Sequence, residues 1–245
     1  MTARFTVPRF FALHLAAILT LGLLNAIVLL GDTAGYHHLF GYSQLFRLSG
    51  EGNIPNLFSA LGLVVGSLAA ARLAQAGGLR TGERRGWIVL ALVLVLMALD
   101  EAVQIHESLN AIGRRFNASG PFYYIGAFPY VLVAAGLALF LFRFWRGQSG
   151  PVKRGIVLGG AFYLFAAIGM EVFENILIDR GTSAFDPRMA TLFLVEELGE
   201  MVASAILLRT FLLRFEELGG GLLWGLVGER PLFAIEIEPR GAPAG

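Results

Sequence analysis

The residues of this chain that can do chemistry sit in three apolar stretches. The first reads Leu99-Asp100-Glu101-Ala102-Val103-Gln104-Ile105-His106-Glu107. The second reads Gly169-Met170-Glu171-Val172-Phe173-Glu174-Asn175, and the third Val195-Glu196-Glu197-Leu198-Gly199-Glu200-Met201. Together they hold eight of the chain's 18 acidic residues. At helical spacing Asp100, Gln104 and Glu107 fall within about 60° of one another. Glu171 and Glu174 form an i, i+3 pair, as do Glu197 and Glu200, and such pairs share a helix face.

Carboxylates crowded into apolar surroundings repel one another and are expensive to desolvate. Protonation, a water-filled cavity or a bound cation removes that cost. Carboxylates plus histidine on facing helices are the ligand set of di-iron and di-manganese bundles, and the imidazole favours Fe, Mn or Zn over Mg or Ca. The expected ligands are Asp100, Glu107, Glu171, Glu174, Glu197, Glu200 and His106. Glu101, Gln104, Asn175 and Glu196 are expected to support them by hydrogen bonds. The match to those bundles is incomplete, because they use Glu-x-x-His twice whereas this chain has Glu-x-x-Glu twice. His37 and His38 are the further histidines on the same predicted side.

The elements that must position these residues are membrane helices. Of 245 residues, 56% are hydrophobic and only 15% charged, against about 25% charged in a soluble domain. Mean hydropathy is +0.67. Six stretches reach the roughly 20 apolar residues a span needs: Phe10 to Leu30, Pro55 to Ala76, Trp87 to His106, Phe122 to Phe144, Gly155 to Leu177 and Met189 to Leu213. The predicted fold is all-α, a polytopic bundle of about six transmembrane helices over residues 1–213, followed by a cytoplasmic tail, 214–245. Tyr123, Tyr124, Tyr130, Trp87 and Trp145 lie near predicted ends, where aromatic rings favour the interface. Asn53 and Pro55 suit the start of the second helix.

Arginine and lysine cluster in alternate connections, around Arg4 and Arg9, Arg80 to Arg85, Arg143 to Arg154, and Arg209 to Arg214. By the positive-inside rule both termini face the cytoplasm. Asp100 then lies about 20 Å into its helix, Glu171 about 24 Å into its own, and Glu197 about 12 Å below the opposite surface. All three levels coincide in the outer half of the bilayer. In the tail, Leu222 to Leu226 reads as a short interfacial helix and Phe233 to Glu238 as a strand of period two.

Several classes are excluded. A net charge of +1 and no basic stripe leave no nucleic-acid partner. With no cysteine there are no disulfides, thiolate metal sites or cysteine nucleophiles. Three functions fit the rest. The first is a metal site, with metal-dependent redox or hydrolytic chemistry on a lipid-soluble substrate. The second is a non-catalytic accessory subunit of a respiratory or photosynthetic membrane complex, joined to other membrane subunits through the tail. The third is a cation or proton transporter. His14 reads as a packed residue, and Glu51-Gly52-Asn53-Ile54-Pro55-Asn56 as a helix cap or a lid over the acids.

The segments Glu51-Gly-Asn-Ile-Pro55, Leu99-Asp-Glu101 with Ile105-His-Glu107, Gly169-Met-Glu171 and Glu196-Glu197 with Glu200-Met201 resemble a family of uncharacterised bacterial multi-pass membrane proteins. The resemblance implies a bacterial inner membrane, brings no activity with it, and stops before the tail.

Overall fold

The computed structural model describes residues 2–36, 41–50, 52–103, 105, 127–183, 186–219, 221–225 and 234–237. Within them run β1 (Thr2–Phe5), α1 (Val7–Thr33), α2 (Tyr42–Phe46), α3 (Ile54–Gln75), α4 (Thr81–Val103), α5 (Ala127–Arg146), α6 (Gly150–Leu164) and α7 (Met170–Asp179). α8 (Pro187–Glu217), β2 (Gly221–Gly225) and β3 (Ala234–Ile237) follow. The chain is helical in character. Among the described residues, four helical stretches are long and apolar enough to cross a membrane: Val7–Thr33, Ile54–Gln75, Thr81–Val103 and Gly150–Asp179.

Local sequence sets the helix starts. Thr6 caps α1 by accepting a hydrogen bond from the Arg9 amide, with Pro8 in the first turn. Asn53 caps α3 in the same way, accepting from the Asn56 amide at 3.1 Å, as expected from its position before Pro55. Asp186 caps α8 and takes three hydrogen bonds from Arg188, one from its amide and two from its guanidinium. Those bonds favour the ionised carboxylate and hold the Asp186 carboxyl below its ordinary value.

α8 is the hub, packing against α6, α3 and α1, while α3 and α4 form the most extensive helix pair. The start of α1, the end of α3, the start of α4, the end of α5, the start of α6 and the end of α8 share one cluster. Val7, Leu73, Trp87, Phe144, Val152 and Phe215 meet there. Trp87 is fully buried at its centre, edge-on to Phe144 at 5.1 Å and to Phe211 at 5.4 Å. The helices therefore alternate in direction, and the arginine-rich connections gather at one end, called here the basic end. A salt bridge of 2.6 Å between Arg214 and Glu83 ties α8 to α4 there.

The distribution of apolar groups is the reverse of a water-soluble bundle. Helix contacts use small residues, whereas the outer surface carries Leu19, Leu30, Leu132, Leu158 and Leu139, the last 80% exposed. Close approach is built in at Gly159, where a Cβ would stand 2.7 Å from Leu207 Cγ, and at Gly199, where it would stand 2.9 Å from Ala166 Cβ. Gly155 faces Thr210 still more tightly. Small residues allow this in membrane helix pairs. Gly136 and Gly160, by contrast, face open space. Ser67 Oγ donates across the α3–α4 contact to the Ala91 carbonyl at 2.8 Å.

Two expectations are corrected. The fifth stretch is not one regular helix, because residues Phe165–Gly169 form a π-helical turn between α6 and α7. It contains Ala166, Ala167 and Gly169, and the Phe165 ring lies over the space a Cβ at Gly169 would enter. Leu222 to Leu226 is not an interfacial helix; Gly221–Gly225 is strand β2. Its order in the sheet is β1-β3-β2, with β3 parallel to β1 (Thr2↔Ala234, Phe5↔Ile237) and antiparallel to β2. β3 falls within the predicted strand. Glycines on both sides of Leu222 to Trp224 disfavour a helix, and pairing with β3 satisfies the backbone. Ile237 is buried in the Trp87 cluster, so the chain's own first strand holds the tail.

Candidate functional site

The acidic side chains converge away from the basic end, on helices that reach them from opposite directions. Asp100 and Glu101 close the apolar part of α4. Glu171 and Glu174 sit on α7, just beyond the π turn. Glu196, Glu197 and Glu200 lie roughly two and a half to three and a half turns into α8. A π turn adds a residue to the helical repeat and re-aims the face that follows it.

Several of the cluster carboxyls meet a group from another helix. Glu174 on α7 and Glu196 on α8 approach each other closely enough to interact. Glu171 lies in the field of Glu174, and Glu197 and Glu200 in that of Glu196. Tyr163 on α6 donates to Glu200 Oε2 at 2.8 Å and stands close enough to Glu101 and Asp100 to feel both. Tyr130 on α5 donates to Asp100 Oδ1 at 3.2 Å and lies in the field of Glu171. Asn56, in the first turn of α3, donates to Glu101 Oε1 at 3.2 Å. All of α3 to α8 therefore contribute a polar group to one neighbourhood.

The geometry is that of a carboxyl–tyrosine network. Two ionised carboxylates cannot hydrogen-bond to each other, since each is acceptor-only; a direct bond between Glu174 and Glu196 would need one proton. Glu174 is 6% exposed and Asn175 fully buried. Among the described residues, Glu174 Oε1 and both amide atoms of Asn175 find no hydrogen-bond partner. Buried polar atoms left in that state normally meet water or a ligand.

Of the expected site residues, the structure brings together Asp100, Glu101, Glu171, Glu174, Glu196, Glu197 and Glu200, with Asn175 beside Glu174 in sequence. Gln104, His106 and Glu107 lie outside the described residues, as do His37, His38, Glu51, Tyr123 and Tyr124. Among the described residues, no three acidic or histidine side chains converge as ligands of one metal ion. Sequence reasoning missed Tyr163 and Asn56 as members of the network and placed Tyr130 at a membrane interface. The available signal for Tyr163 was a phenol in an otherwise apolar run, eight residues before Glu171. Asn53 is the cap expected of its segment, while Asn56 carries that segment's contact with the acids. His14 is packed, edge-on to Phe10 and Phe58.

A family model described as a domain of unknown function, DUF8692, matches residues 12–215. The chain belongs to this family. The matched residues include all the described carboxyls of the network and end before β2. No curated protein and no solved structure matches the chain.

Proposed function

We propose that the chain is a six-helix protein of a bacterial inner membrane, with both termini in the cytoplasm, and that its carboxyl cluster takes up and passes on protons. α5 and α8 complete the six spans. α8 carries Glu196, Glu197 and Glu200 within its apolar run. The basic end is the cytoplasmic end by the positive-inside rule. The feature that carries the reading is the approach of buried Glu174 on α7 to Glu196 on α8, two carboxyls that one shared proton would join. Tyr163 on Glu200 and Tyr130 on Asp100 extend the pair into a chain of exchangeable hydroxyl and carboxyl groups. Intramembrane acids arranged in this way serve proton relays in pumps and transporters.

The test is proton flux into proteoliposomes under an imposed pH or ion gradient. Glu174→Gln combined with Glu196→Gln removes both titrating groups and should lower the flux at least tenfold. Wild-type flux in that double variant, or no flux from wild-type protein under any gradient, contradicts the proposal.

A metal-dependent reading stays open through one observation. In the sequence His106 and Glu107 follow Asp100 by six and seven residues and carry an imidazole and a further carboxylate. In that reading Asp100, Glu107, Glu171, Glu174, Glu197, Glu200 and His106 bind Fe, Mn or Zn and act on a lipid-soluble substrate. Stoichiometric metal in purified protein that disappears in Glu171→Gln combined with Glu197→Gln supports it; metal-free wild-type protein after growth in each metal removes it.

A further inference from the structure

An apolar groove of about 530 Å³ opens between the end of α3 and the start of α4, away from the carboxyl cluster. Ala74 and Ala91, both buried, form its floor, and the exposed side chains of Ile88 and Leu92 flank it. Gln75 and Arg84 line its polar end. We infer that this groove holds an acyl chain of an anionic phospholipid whose phosphate rests on Arg84. The inference uses the membrane embedding of α3 and α4 and is independent of the proton reading.

The order of chemistry along the groove matches a lipid. Arg84 stands in the first turn of α4 at the basic end, where headgroups lie. Leu92 is eight residues further on, about 12 Å deeper along the axis. The cation therefore sits at headgroup level and the apolar walls run toward the bilayer interior. Alanines on both helices leave the space that larger side chains would fill. The neighbouring acid, Glu83, is occupied by Arg214. Among the described residues no carboxylate pairs with Arg84. Gln75 Oε1 accepts from Arg72 at 3.2 Å, which leaves the amide NH₂ of Gln75 as a donor beside Arg84. A guanidinium and an amide donor at the mouth of an apolar slot suit a phosphodiester oxygen.

The experiment is native mass spectrometry of the full chain, released from nanodiscs holding equal amounts of phosphatidylglycerol and phosphatidylcholine. Wild-type protein should retain one phosphatidylglycerol in preference to phosphatidylcholine. Arg84→Gln should weaken that retention roughly tenfold, the effect of losing one charge-assisted hydrogen bond, and Arg84→Lys should restore part of it. Arg85→Gln, one residue away, should leave retention unchanged. Ala71→Leu, which fills the groove without touching the arginine, should also abolish it. Equal retention of the two lipids, equal losses in Arg84→Gln and Arg85→Gln, or unchanged retention in Ala71→Leu overturns the inference.

Discussion

Tyr163 shows how the cluster is held at the level of single residues. Its hydroxyl gives Glu200 a short hydrogen bond from a neighbouring helix, and bonds to charged groups contribute more than neutral ones. Tyr163→Phe removes that donor while keeping the ring, so thermal unfolding in detergent should show a loss of about 2 kcal/mol. A melting temperature equal to wild type would mean that Glu200 does not depend on this bond. Glu196→Gln alone should behave differently. An amide can still hydrogen-bond to Glu174 but cannot exchange a proton, so stability should stay close to wild type while proton flux falls. The acidic residues were legible in the sequence because a carboxylate in an apolar run is anomalous in any fold. Tyr130, Tyr163 and Asn56 were not, because tyrosine and asparagine are unremarkable in a membrane helix until their partners on other helices are known.

At the level of elements, the long helices follow from hydropathy and caps, and their ends lie within six residues of the expected positions wherever both are described. The π turn at Phe165–Gly169 did not follow, since nothing in a run of small and apolar residues distinguishes a π turn from an α turn. The α6–α8 contact makes a clean prediction. Gly159→Leu places a side chain where Leu207 already stands and should reduce folded yield and melting temperature sharply. Gly160→Leu, one residue round the helix in open space, should be tolerated. Equal effects of the two would contradict the packing. Loss of the Asn53 cap in Asn53→Ala should destabilise α3 by about 1 kcal/mol, readable by chemical unfolding. The Asp186 cap has a defined pH sense. Arg188 stabilises its ionised form, so the cap is intact above the carboxylate range and is lost as pH falls through the depressed value. Amide exchange in the first turn of α8 should therefore speed up on acidification and, because the site is exposed, also at high salt.

At the scale of the whole molecule, the bundle has two unlike ends. One is sealed by Trp87, Phe144, Phe211 and Phe215 together with Ile237 from the final strand. Toward the other, six helices deliver hydrogen-bonding and acidic groups into one network. Composition disclosed the membrane character and the acidic belt, but the parallel pairing of β1 with β3 joins the two ends of the chain and no local pattern announces such a contact. Proton transfer through this network turns on Glu174 and Glu196 sharing a proton at its centre. Infrared difference spectroscopy of the carboxyl stretch, recorded on purified protein across a pH titration, tests it directly. The account predicts a protonated-carboxyl band in wild type that is lost in both Glu174→Gln and Glu196→Gln. Absence of the band in wild type, or its survival in both variants, would contradict it.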